Sequence, residues 1–536
     1  MMSLELARSA VAIMSETVAG LARQLSGLCI TEGRVSTRLL NQHQDAAYVL
    51  AFLATEADAA RAMIGYGELG EMEALLTRVA IADLLRSSRA RLDGRRLLHD
   101  LRGQAADQAL EDGSDPAVLE ELASLLPSRG TGPKRIPEDV ALIGETFSRF
   151  ASAKVAPRAE SVHRHNLDVP EDVIEGLAAL GAFGMSIPTE YGGFGSPEDA
   201  PGILAMVVAT EELSRGSLMA GSLLTRPEIL VTALLSGGTE AQRKRWLPGV
   251  AAGRQMVAVA VTEPDRGSDV AGITTTARFD GTGYILNGAK MWATFAGRAE
   301  LLLVLARTDP DRNAGARGLS LFVVEKPPFA GHGFEVDQPA GGRLEGRAID
   351  TIGYRGLHSF ELSFKDWWVP SDALIGGGEG TGRGFYLQME AFAKGRLQTA
   401  ARALGVMEGA FRQALSYARS REVFGRPLFD YQLTRMRLAR MAARIQTGRR
   451  LTYWAAGQLG QPSGDIRAAM AKALTSRAAE EITRDAMQLH GGMGYAEESQ
   501  VSRLFVDARV LSIFEGTEEV LALRVIARDL IERSAA

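Results

Sequence analysis

One glutamate in an apolar segment is the residue of this 536-residue sequence best suited to acid–base catalysis. Glu515 follows Ile513 and Phe514 and precedes Gly516. Glutamate is rarely buried without a partner or a task, and burial would raise its pKa towards the range that suits a general base. The same residues also fit the start of a helix, because Thr517 is a good N-cap and acids follow it. The segment therefore predicts either a catalytic base or a helix start.

Two segments in the middle of the chain could hold a flat, polar ligand. Residues 261–269 place hydroxyls and flexible backbone after an apolar run, so their N–H groups could cradle a phosphate or a polarised carbonyl. An ordinary turn explains them equally. Residues 287–294 begin with Asn-Gly, a hairpin-turn signal, and Trp292 and Thr294 then share one face of a predicted strand. A tryptophan beside a hydroxyl suits a flavin ring, although a core tryptophan is the alternative interpretation.

A third segment joins a predicted helix to a run of glycines. Residues 488–495 read Gln-Leu-His-Gly-Gly-Met-Gly-Tyr. The glycines could form the C-terminal cap of the helix. They could also allow the backbone to approach a cofactor closely, since glycine has no Cβ.

Composition excludes several classes of protein. The net charge is -5, with 46% hydrophobic and 23% charged residues, so a nucleic-acid partner is not expected. Cys29 is the only cysteine, and the seven histidines are scattered without ligand spacing; we therefore predict no disulfide and no metal site. The acidic start lacks the pattern of a secretion signal, and we find no apolar stretch of the ~20 residues that a membrane helix needs. A cytoplasmic location is expected.

The order of predicted elements is helix, helix, strand, helix, which indicates an α+β multidomain fold rather than alternating β-α units. Helical periodicity and a Pro/Gly-rich linker divide the first half, and short Val/Ile/Leu-rich runs mark a strand region. The predicted domains are a helical N-terminal extension (1–126), a linker (127–135), a helical domain (136–256), a β-domain (257–372) and a C-terminal helical bundle (373–536). The apolar faces of the extension must be buried, so we expect it to pack on the catalytic core or across a subunit interface.

The motifs stand in the order and spacing of the acyl-CoA dehydrogenase family, which the chain resembles over about residues 136–533. The resemblance rests on Thr-Glu-Pro and Gly-Ser-Asp in 262–269, Lys-Met-Trp-x-Thr in 290–294, Arg-x-x-Phe-Gly from 421, Gln-x-x-Gly-Gly-x-Gly from 488 and Phe-Glu-Gly-Thr in 514–517. It implies an enzyme with a helical domain, a β-domain and a C-terminal four-helix bundle. It also implies FAD as cofactor, a homo-oligomer (dimer or tetramer), and an electron-transfer flavoprotein as electron acceptor.

The resemblance further implies roles for individual residues. Glu515 would be the base; some members carry the base just before an arginine matching Arg396, but that position here is Gly395. Glu515 would remove the α-proton of the acyl-CoA while the β-hydride passes to flavin N5. The residues implied to bind FAD are Thr262, Gly267, Ser268, Trp292, Thr294, Arg421, Phe424, Gln432, Gln488, Gly491, Gly492 and Thr517. Those implied to contact substrate include Ser268 and Arg396.

Three further features are similar to the branch of the family that oxidises (2S)-methylsuccinyl-CoA to mesaconyl-CoA. They are the N-terminal extension, the Gly/Arg-rich residues 341–347 and the tetrapeptide at 225–228. That acyl group carries a carboxylate, whose burial requires a cation or dense hydrogen bonding. Arg226 is our candidate for this role because its planar fork matches a carboxylate. A surface arginine is the alternative interpretation, and Arg343 or Arg347 could read the carboxylate or CoA phosphates instead.

Three other functions remain open at this point. The chain could be a general short- or branched-chain acyl-CoA dehydrogenase with the same fold. A non-catalytic binding protein of the family should lack the base or the flavin residues, and both are present. A flavin monooxygenase on this fold would need no α-proton base.

Overall fold

The computed structural model describes residues 2–95, 101, 103–195, 200–339, 341–461 and 463–535. The chain divides into two compact units. We call Met1–Ala141 with Thr399–Ala536 the bundle unit, and Leu142–Gln398 the sheet unit.

The bundle unit is helical and combines the N-terminal extension with most of the C-terminal domain. Its α-helices are Met2–Cys29, Thr37–Gln42, Gln44–Gly67, Glu71–Leu92, Gln104–Ser114, Pro116–Arg129, the later part of Gly384–Ser420, Gln432–Ala456, Gly464–His490, Gly492–Tyr495, Gln500–Leu511, Glu518–Val520 and Arg528–Arg533. A π-helix spans Leu521–Ala527, and two short ribbons pair Ile30–Thr31 with Arg34–Val35 and Glu422–Val423 with Arg426–Pro427.

The extension packs on the C-terminal helices, which confirms the first of the two arrangements expected for it. Helices Gln44–Gly67, Glu71–Leu92 and Pro116–Arg129 all contact helix Gln432–Ala456. Alanine and leucine side chains on these helices are almost fully buried. They form an apolar core that is continuous between the extension and the C-terminal helices. Helix Pro116–Arg129 continues through Pro127, three residues into the segment predicted as linker.

A buried polar cluster fixes the chain where the extension ends. The Thr131 hydroxyl donates to Glu408 Oε2 (2.8 Å), and Arg449 Nη2 contacts the same oxygen at 3.1 Å. Gln446 Nε2 donates to the Thr131 carbonyl at 2.9 Å. Burial raises the pKa of Glu408, but Arg449 and Arg412 outweigh it and the net pKa is lowered. The cluster therefore keeps its charges inside the bundle unit.

The sheet unit contains helices followed by one eight-stranded sheet. Its α-helices are the later part of Glu138–Phe150, Ala156–Arg164, Glu171–Ala179, Ala200–Gly216, Leu218–Leu223, Thr225–Gly237, Glu240–Ala251 and the start of Gly384–Ser420; a π-helix spans Ala151–Val155. The strands, in spatial order, are Val257–Ala260, Leu301–Arg307, Thr276–Phe279, Gly283–Thr294, Ser359–Pro370, Arg343–Ile349 and Gly333–Asp337. Strand Leu319–Glu325 also pairs with Leu301–Arg307.

The core of the sheet unit lies between helices and sheet. Fully buried strand residues such as Leu301, Leu303 and Val323 pack with Leu230 and Trp246 from the helices. The order of helices and strands confirms the predicted fold class. One prediction was wrong: Leu218–Gly237 is a stretch of 20 residues with mean hydropathy 1.4, long and apolar enough to cross a membrane, and 94% of it is buried inside the protein as in a core helix.

The hairpin turn predicted from Asn-Gly at 287–288 was also wrong, because these two residues lie inside strand Gly283–Thr294. The turn falls earlier, where Asp280 Oδ1 accepts from the N–H groups of Thr282 and Gly283. Asn287 instead exchanges hydrogen bonds with Asp366 at an irregularity in the pairing. Gly288 has φ +145, and a Cβ there would lie 2.6 Å from a Thr275 side chain atom. The glycine therefore permits a close strand contact rather than a turn.

Candidate active site

Glu515 lies in a short loop between helices Gln500–Leu511 and Glu518–Val520. Its side chain is only 9% exposed, and Arg402 Nη2 donates to its Oε1 at 2.8 Å. The Thr399 hydroxyl donates to Oε2, and Arg402 Nη2 also donates to Thr399 Oγ1 at 2.7 Å. The carboxylate is therefore held at both oxygens by two residues of helix Gly384–Ser420. Such a network keeps a buried carboxylate in one orientation.

The backbone of this loop is clamped from a second helix. Lys472, which is 1% exposed, donates from Nζ to the Phe514 carbonyl at 2.6 Å and to the Gly516 carbonyl. Glu515 has φ +56, a left-handed conformation that is uncommon for a residue with a Cβ. Gly516 follows with φ +99, where a side chain would be strained. Strained backbone of this kind persists where surrounding contacts enforce it, which is frequent at active sites.

The helix-start interpretation of this segment is correct. Thr517 caps helix Glu518–Val520 by accepting from the Val520 N–H at 3.4 Å. The Glu515 N–H donates to no residue that the structure describes. Thr517 therefore starts the helix, and Glu515, two residues before it, combines an unpaired N–H with a buried carboxylate.

Gln488, Gly491 and Gly492 lie at the end of helix Gly464–His490. Gly491 has φ +59, and its N–H donates to the Gln488 carbonyl at 3.2 Å, so the C-cap interpretation is correct. A Cβ at Gly491 or Gly492 would meet nothing within 4 Å. The glycines therefore also leave open space beside the backbone, as the cofactor interpretation requires.

Arg421, Phe424 and Gln432 lie around the turn that joins two long helices of the bundle unit. All three are exposed, and Phe424 is 98% exposed with φ +50. Gln432 hydrogen-bonds to the carboxylate of Glu120 in the extension and lowers the pKa of that acid. The exposed ring of Phe424 is therefore available for a contact with another molecule.

In the sheet unit a buried ion pair fixes the loop that contains Thr262, Gly267 and Ser268. Glu263 Oε1 lies 3.0 Å from Lys290 Nζ, and the carboxylate accepts from the Thr274 and Thr275 N–H groups. Burial raises the pKa of Glu263. The charge of Lys290 and the hydrogen bonds have a larger, opposite effect, so the net pKa of Glu263 is lowered to about 2. Burial lowers the pKa of Lys290 to about 8, against the effect of Glu263. Both groups are therefore charged at neutral pH.

The same pair ties this loop to strand Gly283–Thr294. Lys290 Nζ also donates to the Val261 carbonyl at 3.0 Å, and the Met291 N–H donates to the Thr262 carbonyl at 2.8 Å. Gly267 and Ser268 remain exposed on the loop, and a Cβ at Gly267 would meet nothing within 4 Å.

Trp292 and Thr294 end the strand, but in different surroundings. Trp292 is 51% exposed with φ +59, whereas Thr294 is buried and shares a hydrogen bond of 2.9 Å with Ser359. The predicted alternation does not hold there, because Trp292 leaves the extended conformation. The exposed indole excludes the core-tryptophan interpretation and leaves its ring available for stacking.

The surface-arginine interpretation of Arg226 is wrong, because the side chain is buried with helix Thr225–Gly237. Its Nη1 donates to the Ser222 carbonyl at 2.9 Å, and its guanidinium lies 5.7 Å from the Tyr354 ring centroid. Among the described residues no carboxylate lies within 4 Å of it. Glu228, two residues further along the helix, pairs instead with Lys394 at 3.3 Å. A buried guanidinium without a counter-ion favours an anionic ligand.

The other candidate arginines differ in their partners. Arg343 is exposed and faces three acids: Asp337 at 2.8 Å, Glu335 at 2.7 Å and Glu345 at 3.5 Å. Those acids already neutralise it. Arg347 lies on the same exposed strand, Arg343–Ile349. Arg396 is 8% exposed within helix Gly384–Ser420.

Several residues that position the site were not predicted, chiefly Arg402, Lys472 and the Glu263–Lys290 pair. Two of these charges stand on otherwise apolar stretches: Arg402 lies among alanines 400, 401 and 403, and Lys472 lies between alanines 471 and 473. A charge in such a setting is rarely buried unless it is paired. Reading these charges as buried would have pointed to partners in the nearby loops.

Comparison with known proteins identifies the family. The N-terminal, middle and C-terminal domain models of acyl-CoA dehydrogenases match residues 137–254, 258–367 and 382–531. The chain is 38% identical to the (2S)-methylsuccinyl-CoA dehydrogenase of Cereibacter sphaeroides over 94% of this chain and 93% of that protein. It is 34% identical to the human mitochondrial short-chain specific acyl-CoA dehydrogenase over 74% of this chain and 91% of the other.

Solved structures of acyl-CoA dehydrogenases are similar to this chain in fold. Butyryl-CoA dehydrogenase from Megasphaera elsdenii is similar with a TM-score of 0.66 and 31% identity, covering 72% of this chain and 97% of that one. A Mycobacterium smegmatis glutaryl-CoA dehydrogenase in complex with FADH2 is similar with a TM-score of 0.63 and 27% identity, covering 72% and 93%. The chain belongs to the acyl-CoA dehydrogenase family and is an FAD-dependent oxidoreductase, as the sequence motifs predicted.

The residues present fit FAD. The exposed Trp292 indole offers a stacking surface, and Gly267, Gly491 and Gly492 each leave open space where a Cβ would stand. Without a Cβ at these positions, a pyrophosphate can approach the backbone closely. Each unit thus presents its own surface suited to part of a dinucleotide.

Proposed function

We propose that this chain oxidises (2S)-methylsuccinyl-CoA to mesaconyl-CoA, with Glu515 as the base that removes the α-proton. FAD supplies the acceptor for the β-hydride when it is bound. The observation that carries the choice of substrate is the buried Arg226, which has no carboxylate partner among the described residues. A monocarboxylic acyl chain would leave that charge unpaired, whereas the free carboxylate of a methylsuccinyl group would neutralise it.

The extent of the similarity supports the same substrate. The Cereibacter sphaeroides relative matches 94% of this chain, including the extension, whereas the human short-chain enzyme matches 74%. The extension contributes much of the packing around helix Gln432–Ala456. The similarity to the Cereibacter sphaeroides enzyme therefore includes the extension as well as the three domains that all these relatives share.

The geometry around Glu515 supports its role as the base. Its carboxylate is buried and held by Arg402 and Thr399, so little reorganisation is needed to keep one oxygen aimed at a substrate. Proton removal develops negative charge on the thioester oxygen, and the uncommitted Glu515 N–H can donate to it. Because Lys472 clamps the carbonyls on either side, that N–H has a fixed direction.

Arg226→Ala tests the choice of substrate. We expect kcat/KM for methylsuccinyl-CoA to fall. The fall should correspond to a loss of roughly 2–4 kcal/mol of transition-state binding, as for a buried charge pair that loses one partner. The loss for the uncharged 2-methylbutyryl-CoA should be much smaller. Arg343→Ala is the matched control, because that guanidinium already faces three acids. Equal losses on both substrates in Arg226→Ala would show that the carboxylate is read elsewhere.

The second candidate function is a general short- or branched-chain acyl-CoA dehydrogenase. The human short-chain relative at 34% identity favours it. A panel of acyl-CoA thioesters with an artificial electron acceptor separates the two. Higher kcat/KM for butyryl-CoA or 2-methylbutyryl-CoA than for methylsuccinyl-CoA would establish the second function.

Three accompanying proposals follow from the family. We expect an electron-transfer flavoprotein to reoxidise the enzyme, a homo-oligomer in which Arg421, Phe424 and Gln432 reach the FAD of a neighbouring subunit, and a cytoplasmic location. The exposure of Phe424 supports the second of these.

A further inference from the structure

Three loops of the sheet unit bring together two histidines and an aspartate that are far apart in sequence. Asp168, His332 and His358 each offer one potential ligand atom, and these atoms all lie within 4.8 Å of one another. His358 Nε2 is 3.1 Å from Asp168 Oδ1, and the two imidazole rings have centroids 4.3 Å apart. We call these three residues the His–Asp cluster, and we propose that it binds a divalent transition-metal ion of the Zn²⁺ class.

The hydrogen bonds that His332 and Asp168 make to residues outside the cluster match those of metal ligands. His332 Nε2 lies 3.0 Å from the Asn166 carbonyl oxygen, which can only accept, so Nε2 carries the proton and Nδ1 keeps its lone pair. Metal-binding histidines almost always donate their other N–H to a carbonyl or carboxylate in this way. Asp168 Oδ2 accepts from the Gly331 N–H at 2.6 Å, which orients the carboxylate and leaves Oδ1 towards His358.

Backbone strain at two positions shows how tightly the loops of the cluster are held. Asn166 has φ +51 and His358 has φ +44, a region that non-glycine residues seldom occupy. The His358 carbonyl accepts from the Phe295 N–H at 2.8 Å, and the Val169 N–H donates to the Gly356 carbonyl at 2.7 Å. The fold therefore holds these loops in a strained conformation that presents the three ligands together, as functional sites commonly do.

The donor set selects the kind of ion. Two imidazole nitrogens and one carboxylate oxygen suit Zn²⁺ and its neighbours, whereas Ca²⁺ and Mg²⁺ prefer oxygen ligands alone. Ligand atoms around a tetrahedral ion with bonds of 2.0–2.2 Å stand roughly 3.4 Å apart. The His358–Asp168 pair already has this spacing, and His332 is exposed, so its ring can move the small remaining distance. Three protein ligands leave one position for water.

The His–Asp cluster adjoins a residue pair already described. Ser359 follows His358 directly and shares a hydrogen bond of 2.9 Å with Thr294. An ion at the cluster would fix the turn that leads into strand Ser359–Pro370 and link it to the loops at Asn166 and Gly331. The expected effect is stabilisation of the sheet unit, and the proposal does not depend on the identity of the acyl substrate.

Metal titration of the full-length, FAD-loaded protein tests the proposal. After tag removal and chelator treatment, Zn²⁺ is titrated against a competing chromophoric chelator, and Co²⁺ serves as a spectroscopic probe. We expect one Zn²⁺ per chain, a visible Co²⁺ d–d spectrum and a rise in melting temperature with saturating Zn²⁺. His332→Ala and Asp168→Asn should each weaken binding by about 100-fold or more.

His165→Ala is the matched control, since His165 is exposed on the neighbouring segment and its side chain is not in the cluster. It should leave binding unchanged. Both test variants alter side chains that are partly in solvent, so their folding can be verified by melting curves without metal. Absence of stoichiometric binding in the wild type, or unchanged affinity in His332→Ala, would overturn the proposal.

Discussion

At the residue scale, Glu515 combines burial, two hydrogen-bond donors and a left-handed backbone. Each of these features restricts where its carboxylate can point. A glutamine has the same shape and can accept from Arg402 through its amide oxygen, so substitution removes the base while the loop stays in place.

Glu515→Gln should retain FAD and bind acyl-CoA but lose most flavin reduction by substrate. Loss of a general base typically costs about 10²–10⁴-fold, and stopped-flow absorbance of the flavin measures it. Glu111→Gln, an exposed acid in the extension, is the control and should react normally. Near-normal flavin reduction in Glu515→Gln would show that another group removes the proton.

The Glu263–Lys290 pair gives a second prediction, on acid stability. In the folded protein the pKa of Glu263 is about 2, against an ordinary value of 4.5 for a glutamate. Its stabilising contribution is therefore complete above about pH 4.5 and is lost as the pH falls towards 2. Glu263→Gln should lower stability at pH 7 by roughly 3–5 kcal/mol, because Lys290 stays buried without its partner, and should flatten the decline between pH 4.5 and 2.

Melting temperatures at pH 7, 4.5 and 3 measure both effects. Glu361→Gln, an exposed acid on strand Ser359–Pro370, should change neither. The double variant Glu263→Gln/Lys290→Met should recover part of the loss at pH 7, since no uncompensated charge remains. An unchanged acid decline in Glu263→Gln would contradict the assigned pKa.

Site residues can be predicted from the sequence when they are adjacent in it, but not when they are far apart along the chain. Glu515, Gly516 and Thr517 are adjacent, so their motif is legible, and both cap and base interpretations could be stated. Arg402 lies 113 positions from Glu515, and only the fold brings it there. Asp168, His332 and His358 come from three loops, which is why the histidines seemed scattered in sequence.

At the scale of elements, the extension is joined to the C-terminal helices by the Thr131–Glu408–Arg449 cluster. Thr131→Val keeps the shape but removes the hydroxyl that donates to the Glu408 carboxylate. We expect a loss of about 1.5–3 kcal/mol of stability, the usual contribution of a hydrogen bond to a charged group. Ser128→Ala, on an exposed hydroxyl nearby, is the control. Equal melting temperatures for both variants would contradict this role.

Removing the extension altogether is the stronger form of the same prediction. A chain without residues 1–130 would expose the faces of helix Gln432–Ala456 that three extension helices cover. It should melt at a lower temperature and be less soluble. Unchanged melting temperature and kinetics would show that the extension is an independent appendage.

Periodicity and composition predicted the element types, but local exceptions needed the structure. Pro127 is a helix breaker by type, yet helix Pro116–Arg129 continues past it. The dipeptide Asn287-Gly288 is typical of a turn, yet it lies inside a sheet, where the Asn287 side chain hydrogen-bonds to Asp366. In both cases tertiary contacts outweighed a local preference.

At the scale of the whole molecule, three exposed apolar side chains of the bundle unit support the proposed homo-oligomer. Phe424, Leu433 and Tyr495 are 98%, 79% and 85% exposed. If they lie against a second copy, Phe424→Asp should give smaller species in light scattering and lose FAD on dilution. Leu69→Asp, at a 52% exposed leucine of the extension, is the control. A monomeric wild type that keeps its FAD at low concentration would contradict the proposed assembly.

Anaerobic mixing of the FAD-loaded enzyme with (2S)-methylsuccinyl-CoA tests whether the protein oxidises a carboxylated acyl-CoA. We expect rapid loss of the oxidised flavin absorbance, with one mesaconyl-CoA formed per flavin reduced. Reduction by 2-methylbutyryl-CoA should be much slower. A flavin that stays oxidised with methylsuccinyl-CoA, or that is reduced faster by the uncharged thioester, would overturn the proposed substrate.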